Sequence, residues 1–274
     1  MTEYYTTFMD SLTNLNQQTI KNHKNQYKIY VDTFQQFPSF DEVVVINNIK
    51  SLGLNDSKTL SLLKSISKYR SVNQLTNIRL LRYMKETNDA LSQKYKIRNK
   101  ELKNSLPKYK DVMKKLNELH KNQEHKRYII NYLMINLSTR NQDLDVKIVK
   151  KKTNTDGIDN FLVLRKNDVL FIRNKFKTAF STGAKQNIIK SKKFYQSVKS
   201  FLYDDEMKEL FEFDKLTSNN MGVIVRKYTI DAIKETDMLK IVLSAKNSLS
   251  QANKISNNRG SALSTLQSNY NVLV

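Results

Sequence analysis

The sequence predicts a mostly helical α+β chain, with an all-α domain over residues 1–105 and a helical domain carrying a small antiparallel sheet over 106–274. Three observations predict it. Two prolines and five glycines among 274 residues leave few helix breakers. Bulky residues recur at spacings of three and four through the first half, the signature of amphipathic helices. Short β-branched runs separated by turn residues cluster between residues 146 and 189.

Thr19 is the expected N-cap of the first long helix. There Ile20, His23, Tyr27, Tyr30, Val31 and Phe34 share one face, and Lys21, Lys24 and Lys28 lie on others. Helical segments follow at Asp41–Leu52, Ser57–Lys68, Val72–Glu86 and Asn88–Lys103, the third carrying Arg79 and Arg82 among Leu75, Ile78 and Leu81. Asn104–Pro107 is the expected domain boundary, because proline biases its predecessor away from helix and a new amphipathic pattern starts just after it. Tyr109–Leu119 and Lys126–Leu137 read as helices, and the apolar run Tyr128–Ile135 makes the second a buried one. Strands are expected at Val146–Val149, Phe161–Leu164, Val169–Ile172 and Asn187–Ile189, parted by turns at Asp156-Gly157, Lys166–Asp168 and Ser181–Gly183. Helices resume at Phe194–Leu202, Met221–Ala232, Asp237–Leu243 and Gly260–Tyr270.

Composition narrows the function. Lys and Arg number 47 against 26 Asp and Glu, a formal charge of +21. Such an excess implies a polyanionic partner, nucleic acid first, since each phosphate neutralised releases condensed counterions. The absence of cysteine excludes a disulfide scaffold, a thiolate zinc site and a cysteine nucleophile. The three histidines, His23, His120 and His125, all precede residue 126, which excludes a Ser-His-Asp triad or a multi-His metal site in the second half. His120 and His125 lack further ligand partners, so no metal site is expected, and Lys150–Lys152 reads as a solvated loop. No apolar run reaches the roughly 18 to 20 residues of a membrane span, and the N-terminal residues lack the order of a signal peptide. A soluble, intracellular protein with no membrane partner is the expectation.

The buried helix ending at Leu137 runs into Ser138-Thr139-Arg140-Asn141-Gln142-Asp143-Leu144. A guanidinium there needs a partner, and arginine is the best fork for phosphate oxygens, with Asp143 placed to orient it. Helix, small residue, Arg, two residues, acid, Leu and then short strands resembles the catalytic domain of the tyrosine recombinase/integrase family. The N-terminal module opening with Gln18–Tyr27 is similar to that family's core-binding domain, and the two resemblances span nearly the whole chain.

The resemblance implies a set of site residues. The first arginine matches Arg140. The catalytic lysine, which the family carries in the turn between its second and third strands, is matched within Phe171–Lys185 to Lys177, with Lys185 as the alternative. Val223-Ile224-Val225-Arg226 resembles the H-x-x-R motif and makes Arg226 the second arginine. Gly260, Thr265 and Tyr270 reproduce the Gly, Thr and nucleophilic Tyr of the last motif, so Tyr270 is the implied nucleophile. Val223 and Ser261 stand where the family has histidines, and Ser261 and Asp143 are implied to support the phosphate site. Lys21, Lys24, Lys28, Arg79, Arg82 and Lys185 are expected to contact DNA.

The implied function is a site-specific DNA recombinase or integrase, viral or mobile-element encoded, that cleaves and rejoins DNA through a 3′-phosphotyrosyl intermediate. Bond energy is kept in that intermediate, so no cofactor is required. Double-stranded DNA is the partner, with a homodimer or homotetramer on it, located wherever that DNA lies: nucleus, viral factory or cytoplasm. Two other functions share the pattern: a type IB topoisomerase-like relaxing enzyme and a catalytically inert DNA-binding relative.

Overall fold

Helix caps set the N-terminal elements. The computed structural model describes residues 3–38, 41–176, 179, 183–217, 219–245 and 248–270, without the side chains of 103, 104 and 267–270. Within it α1 is Glu3–Asp10, α2 Gln17–Phe34, α3 Glu42–Ser51, α4 Asp56–Val72 and α5 Ile78–Ser105. Asn16, rather than Thr19, caps α2, its side chain accepting from the Thr19 N–H at 2.9 Å. Asp41 and Asn55 cap α3 and α4 in the same way. The start of α5 is capped across sequence, where the buried Glu42 carboxylate accepts from the Leu80 N–H at 2.8 Å.

Two of the expected helices join into α5, while α4 runs on to Val72 and a break occupies 73–77. No proline or glycine interrupts residues 78–105, and Thr87 turns its hydroxyl back onto the Tyr83 carbonyl at 2.8 Å, so the helix continues through it. The aromatic face of α2 is core. Tyr30 packs with Val45, Ile49, Leu62, Leu63, Ile66 and Leu80, and Tyr27 with Phe8, Leu12 and Tyr69. Lys21, Lys24, Lys28, Arg79 and Arg82 are exposed.

The chain divides into two compact units, Met1–Arg98 and Asn99–Val274, with the division inside α5. In the second unit α6 is Tyr109–Lys121 and α7 His125–Asn136. Strands β1 Val146–Val149, β2 Asn160–Leu164, β3 Val169–Arg173 and β4 Lys185–Ile189 precede α8 Lys192–Leu202. Then come β5 Met207–Glu209, α9 Met221–Tyr228, α10 Glu235–Ala245, α11 Leu249–Arg259 and α12 Leu263–Tyr270. The apolar run of α7 is buried as its composition requires, packing with Phe171, Phe194, Val198, Leu239 and Val242 in one core.

The sheet is mixed, not antiparallel: its order is β4-β3-β2-β1-β5, and β1 pairs with β2 in parallel, Val146 opposite Asn160. Residues 150–159, with a short turn at Lys152–Asn154, carry the chain back to the end at which β1 began. Only a tight hairpin would have enforced the antiparallel alternative. The remaining pairs are antiparallel, including the three-residue edge strand β5.

Two helix ends also differ from expectation. α9 stops at Tyr228 because buried Asn131 of α7 accepts from the Ile230 N–H at 2.9 Å and donates to the Tyr228 carbonyl at 2.9 Å, fixing a turn there. Gly260, expected to open a helix, instead closes α11 in the left-handed conformation.

Burial lowers the pKa of His23, His120 and His125 below the ordinary imidazole value. Each is thus neutral in the folded chain over a range where the unfolded chain takes a proton, so stability is full above about pH 6.5 and falls as pH drops through that value. Urea unfolding is expected to shift to lower denaturant between pH 7.5 and 5.5. His120→Gln, which keeps a polar partner for the Ser197 hydroxyl 3.1 Å away, should reduce that shift.

Candidate functional site

The C-terminus of α11 is where distant parts of the second unit meet. Gly260 adopts φ 59° and ψ 42°, a conformation that costs glycine nothing, and reverses the chain. Gly260 N–H donates to the Asn257 carbonyl at 3.2 Å and Ser261 N–H to the Ser256 carbonyl at 3.0 Å. Helix ends leave their last carbonyls partly unsatisfied and carry partial negative charge. Three cations from three other segments supply the missing donors. Lys185 Nζ at the start of β4 donates to the Asn257 carbonyl, Arg173 Nη1 at the end of β3 to Asn258 at 2.7 Å, and Arg140 Nη1 to Arg259.

Arg140 is the hub. Its second guanidinium nitrogen donates to Ser261 Oγ at 2.6 Å, and its own N–H donates to Asp143 Oδ2 at 3.1 Å. The same carboxylate oxygen accepts from Arg173 Nη1 at 3.3 Å, while Arg173 Nη2 donates to Asn187 Oδ1 at 3.0 Å. Asp143 and Arg173 are fully buried. Burial raises the Asp143 pKa in spite of Arg173 beside it, and burial lowers that of Arg173. Lys185 is half-buried, and burial together with the charges of Arg173 and Arg140 lowers its pKa.

A second ion pair borders the first. Arg259 donates to Glu235 Oε1 at 2.6 Å and to the Ser138 carbonyl at 2.9 Å, and Glu235 Oε2 accepts from the Asn141 N–H at 2.8 Å. Arg140, Arg173, Arg259 and Lys185 thus outnumber Asp143 and Glu235, so the cluster carries net positive charge suited to an anion.

Of the residues singled out in the sequence, Arg140, Asp143 and Ser261 come together, with Lys185 joined to them through α11. Arg226 is exposed in the last turn of α9 and donates through Nε to the Ala232 carbonyl at 2.6 Å, and α9 packs against the Asn141–Leu144 turn that follows Arg140. Val223 is 66% exposed. The β2–β3 turn consists of Arg165–Asp168, whereas Lys177 falls in the β3–β4 connection and lies outside the described residues. Tyr270 is the last residue of α12, and its side chain also lies outside them.

Sequence reasoning missed Arg173, Arg259 and Glu235. Arg173 carried a usable signal, a charge ending an apolar strand, the same argument that singled out Arg140 at the end of an apolar helix. Arg259 stands directly before the motif glycine. Glu235 gave no local sign.

Among the described residues no group of three His, Asp or Glu side chains is placed to hold a metal ion, and no helix is long and apolar enough to cross a membrane. No protein-family model matches the chain, and no curated protein does. The crystal structure of XerA recombinase is similar over 98% of this chain and 93% of that one, at 13% identity and a TM-score of 0.37. At that distance, function has to be argued from this chain's own residues.

Proposed function

We propose that this protein breaks and rejoins double-stranded DNA as a site-specific recombinase or integrase of the tyrosine type. One observation carries the reading. Arg140 and Ser261, 121 residues apart and assigned to one phosphate site by separate motifs, are joined by a 2.6 Å hydrogen bond. Five residues of further motif spacing beyond Thr265 lead to Tyr270 in the helix that follows.

In the proposed reaction Tyr270 Oη attacks the scissile phosphorus. The new phosphorus–tyrosine bond forms as the bond to the 5′-oxygen breaks, and the phenolic proton passes to solvent. Tyrosine ionises only near pH 10 in water, so neighbouring positive charge is needed to ease that loss. The Arg140 fork moves from a carbonyl and a hydroxyl onto two non-bridging phosphate oxygens, where charge grows in the transition state. The proton donor to the departing 5′-oxygen is assigned to Lys177, with Lys185, which reaches the end of α11 beside Arg140, as the alternative. Arg226 is assigned the second arginine on the scissile phosphate, and the exposed lysines of α2 with Arg79 and Arg82 of α5 are assigned to the DNA backbone. Two or four copies on DNA complete the proposed assembly.

The inert DNA-binding reading has its own supporting observation. Val223 and Ser261 replace two histidines, and Arg140, Arg173 and Lys185 all spend hydrogen bonds on the end of α11. A fragment library incubated with the protein and quenched in denaturant separates the readings. The expected result is a denaturant-resistant protein–DNA adduct that Tyr270→Phe does not form. Binding without adduct on every fragment would establish the inert reading, and relaxation of supercoiled plasmid without sequence preference would establish topoisomerase-like action. Binding itself should weaken with salt at a log–log slope of about −0.9 per phosphate contact.

A further inference from the structure

The segment Ser138–Asn141 is held at both ends by one buried ion pair. At its start, Ser138 has φ 52°, a left-handed conformation unfavourable for a residue with a Cβ, and its carbonyl accepts from Arg259 Nη1 at 2.9 Å. At its end, the Asn141 N–H donates to Glu235 Oε2 at 2.8 Å. Arg259 and Glu235 are themselves paired at 2.6 Å, with side chains 5% and 17% exposed. Between the two anchors lies Arg140, whose guanidinium reaches back to the main-chain carbonyl of Arg259. The connections close a ring: the loop bearing Arg140, the start of α10, the end of α11, and the Arg140 side chain.

We propose that the Glu235–Arg259 pair is the positioning device for Arg140, a role that rests on the function proposed above. Arg259 acts with both of its chemical faces. Its side chain fixes the backbone on one side of Arg140, and its carbonyl holds the Arg140 fork until a phosphate takes over those donors. Glu235 ties that arrangement to the N-terminal turn of α10, so three elements define one guanidinium orientation. Catalysis by a preorganised cation depends on orientation to within about 10–20°, which a four-residue loop with a left-handed residue does not hold unaided. The device needs a fork: Arg259 makes two side-chain bonds in different directions at once, which an ammonium on a flexible stem does not reproduce.

The test uses the full chain and a DNA fragment that forms the adduct, measured in single turnover. Glu235→Gln and Arg259→Lys are each expected to lower the adduct rate at saturating DNA by about 10- to 100-fold. The DNA concentration at half-saturation should stay within about twofold, and because removing one partner of a buried pair also lowers the thermal midpoint, rates are compared per folded protein at a temperature where every variant is folded. Arg259→Lys is the decisive variant, since a pair that only balanced charge would be rescued by lysine. A wild-type rate in Arg259→Lys overturns the proposal, as does a rate that falls only in step with the folded fraction. If the wild type itself forms no adduct, the functional reading has failed, and the clamp is judged by hydrogen exchange. Faster exchange of the Asn141 N–H in Glu235→Ala, with unchanged exchange in α7, supports it, and unchanged exchange at Asn141 overturns it.

Discussion

Arg140→Ala is expected to slow formation of the covalent DNA adduct by about 10²- to 10³-fold, the scale on which removing one preorganised donor to a developing oxyanion acts. The geometry explains why the loss falls on the chemical step. Arg140 is half-buried, its main chain is held by Asp143, and its two terminal nitrogens already point at oxygen acceptors, the Arg259 carbonyl and Ser261 Oγ. A phosphate entering this place exchanges those acceptors for its own oxygens with little reorganisation, so the donor is strongest when charge accumulates there. Arg140→Lys is expected to recover only part of the rate, because an ammonium makes one directed contact where the guanidinium makes two. Single-turnover adduct formation at saturating DNA, with Tyr270→Phe as the floor, measures both variants. An Arg140→Ala rate within threefold of the wild type would falsify the assignment.

Arg173→Ala is expected to destabilise the second unit by about 3–5 kcal/mol, the usual cost of removing one partner of a buried ion pair. Arg173 and Asp143 are each about 1% exposed in their side chains. Removing the guanidinium strands the Asp143 carboxylate away from water, whose pKa burial already raises, and it deprives the Asn258 carbonyl and Asn187 of their donor. The pair is not fully satisfied even when intact: among the described residues, Asp143 Oδ1 and Arg173 Nε have no hydrogen-bond partner. Such a pair is costly to break and contributes little over an apolar one. The double variant Asp143→Leu with Arg173→Leu should therefore lose less stability than Arg173→Ala alone. Urea unfolding at pH 7.5 checks the order, and a single variant costing under about 1 kcal/mol would mean the pair is well hydrated in solution.

The features legible in the sequence are those set by neighbours along the chain. α7 was legible because a run of apolar residues bounded by charged ones has no stable place outside a core. The aromatic face of α2 was legible for the same reason, its tyrosines recurring with the helical period while Lys21, Lys24 and Lys28 fell on other faces. β2 and β3 appeared as short, β-branched apolar runs divided by a polar turn, and both are buried almost throughout. β5 did not, since three residues with one apolar side chain have no period, and pairing with β1 alone makes them a strand.

The candidate site divides along the same line. Arg140 and Asp143 were legible because a charge at the end of an apolar helix demands a partner, and Gly260 with Thr265 and Tyr270 because their spacing is a local property. Glu235, Arg259 and Arg173 join the site through partners 24 to 121 residues away, and no local pattern says which partners those are. Arg226 was legible by motif spacing alone; the turn that Asn131 imposes at Tyr228, which ends α9 just after it and lets its Nε donate to the Ala232 carbonyl, was not.

By itself the sequence determined a basic, helix-rich chain with a buried central helix, a short strand region and two segments suited to one phosphate. Period, capping and charge are written within a few residues of one another, and local free energies decide them. Only the tertiary structure decided that β1 and β2 run parallel and that Lys185, Arg173 and Arg140 converge on the end of α11. It also decided that Glu235 and Arg259 grip the loop between them. Those choices depend on which distant groups satisfy buried carbonyls and charges, a balance that exists only once the chain has closed on itself.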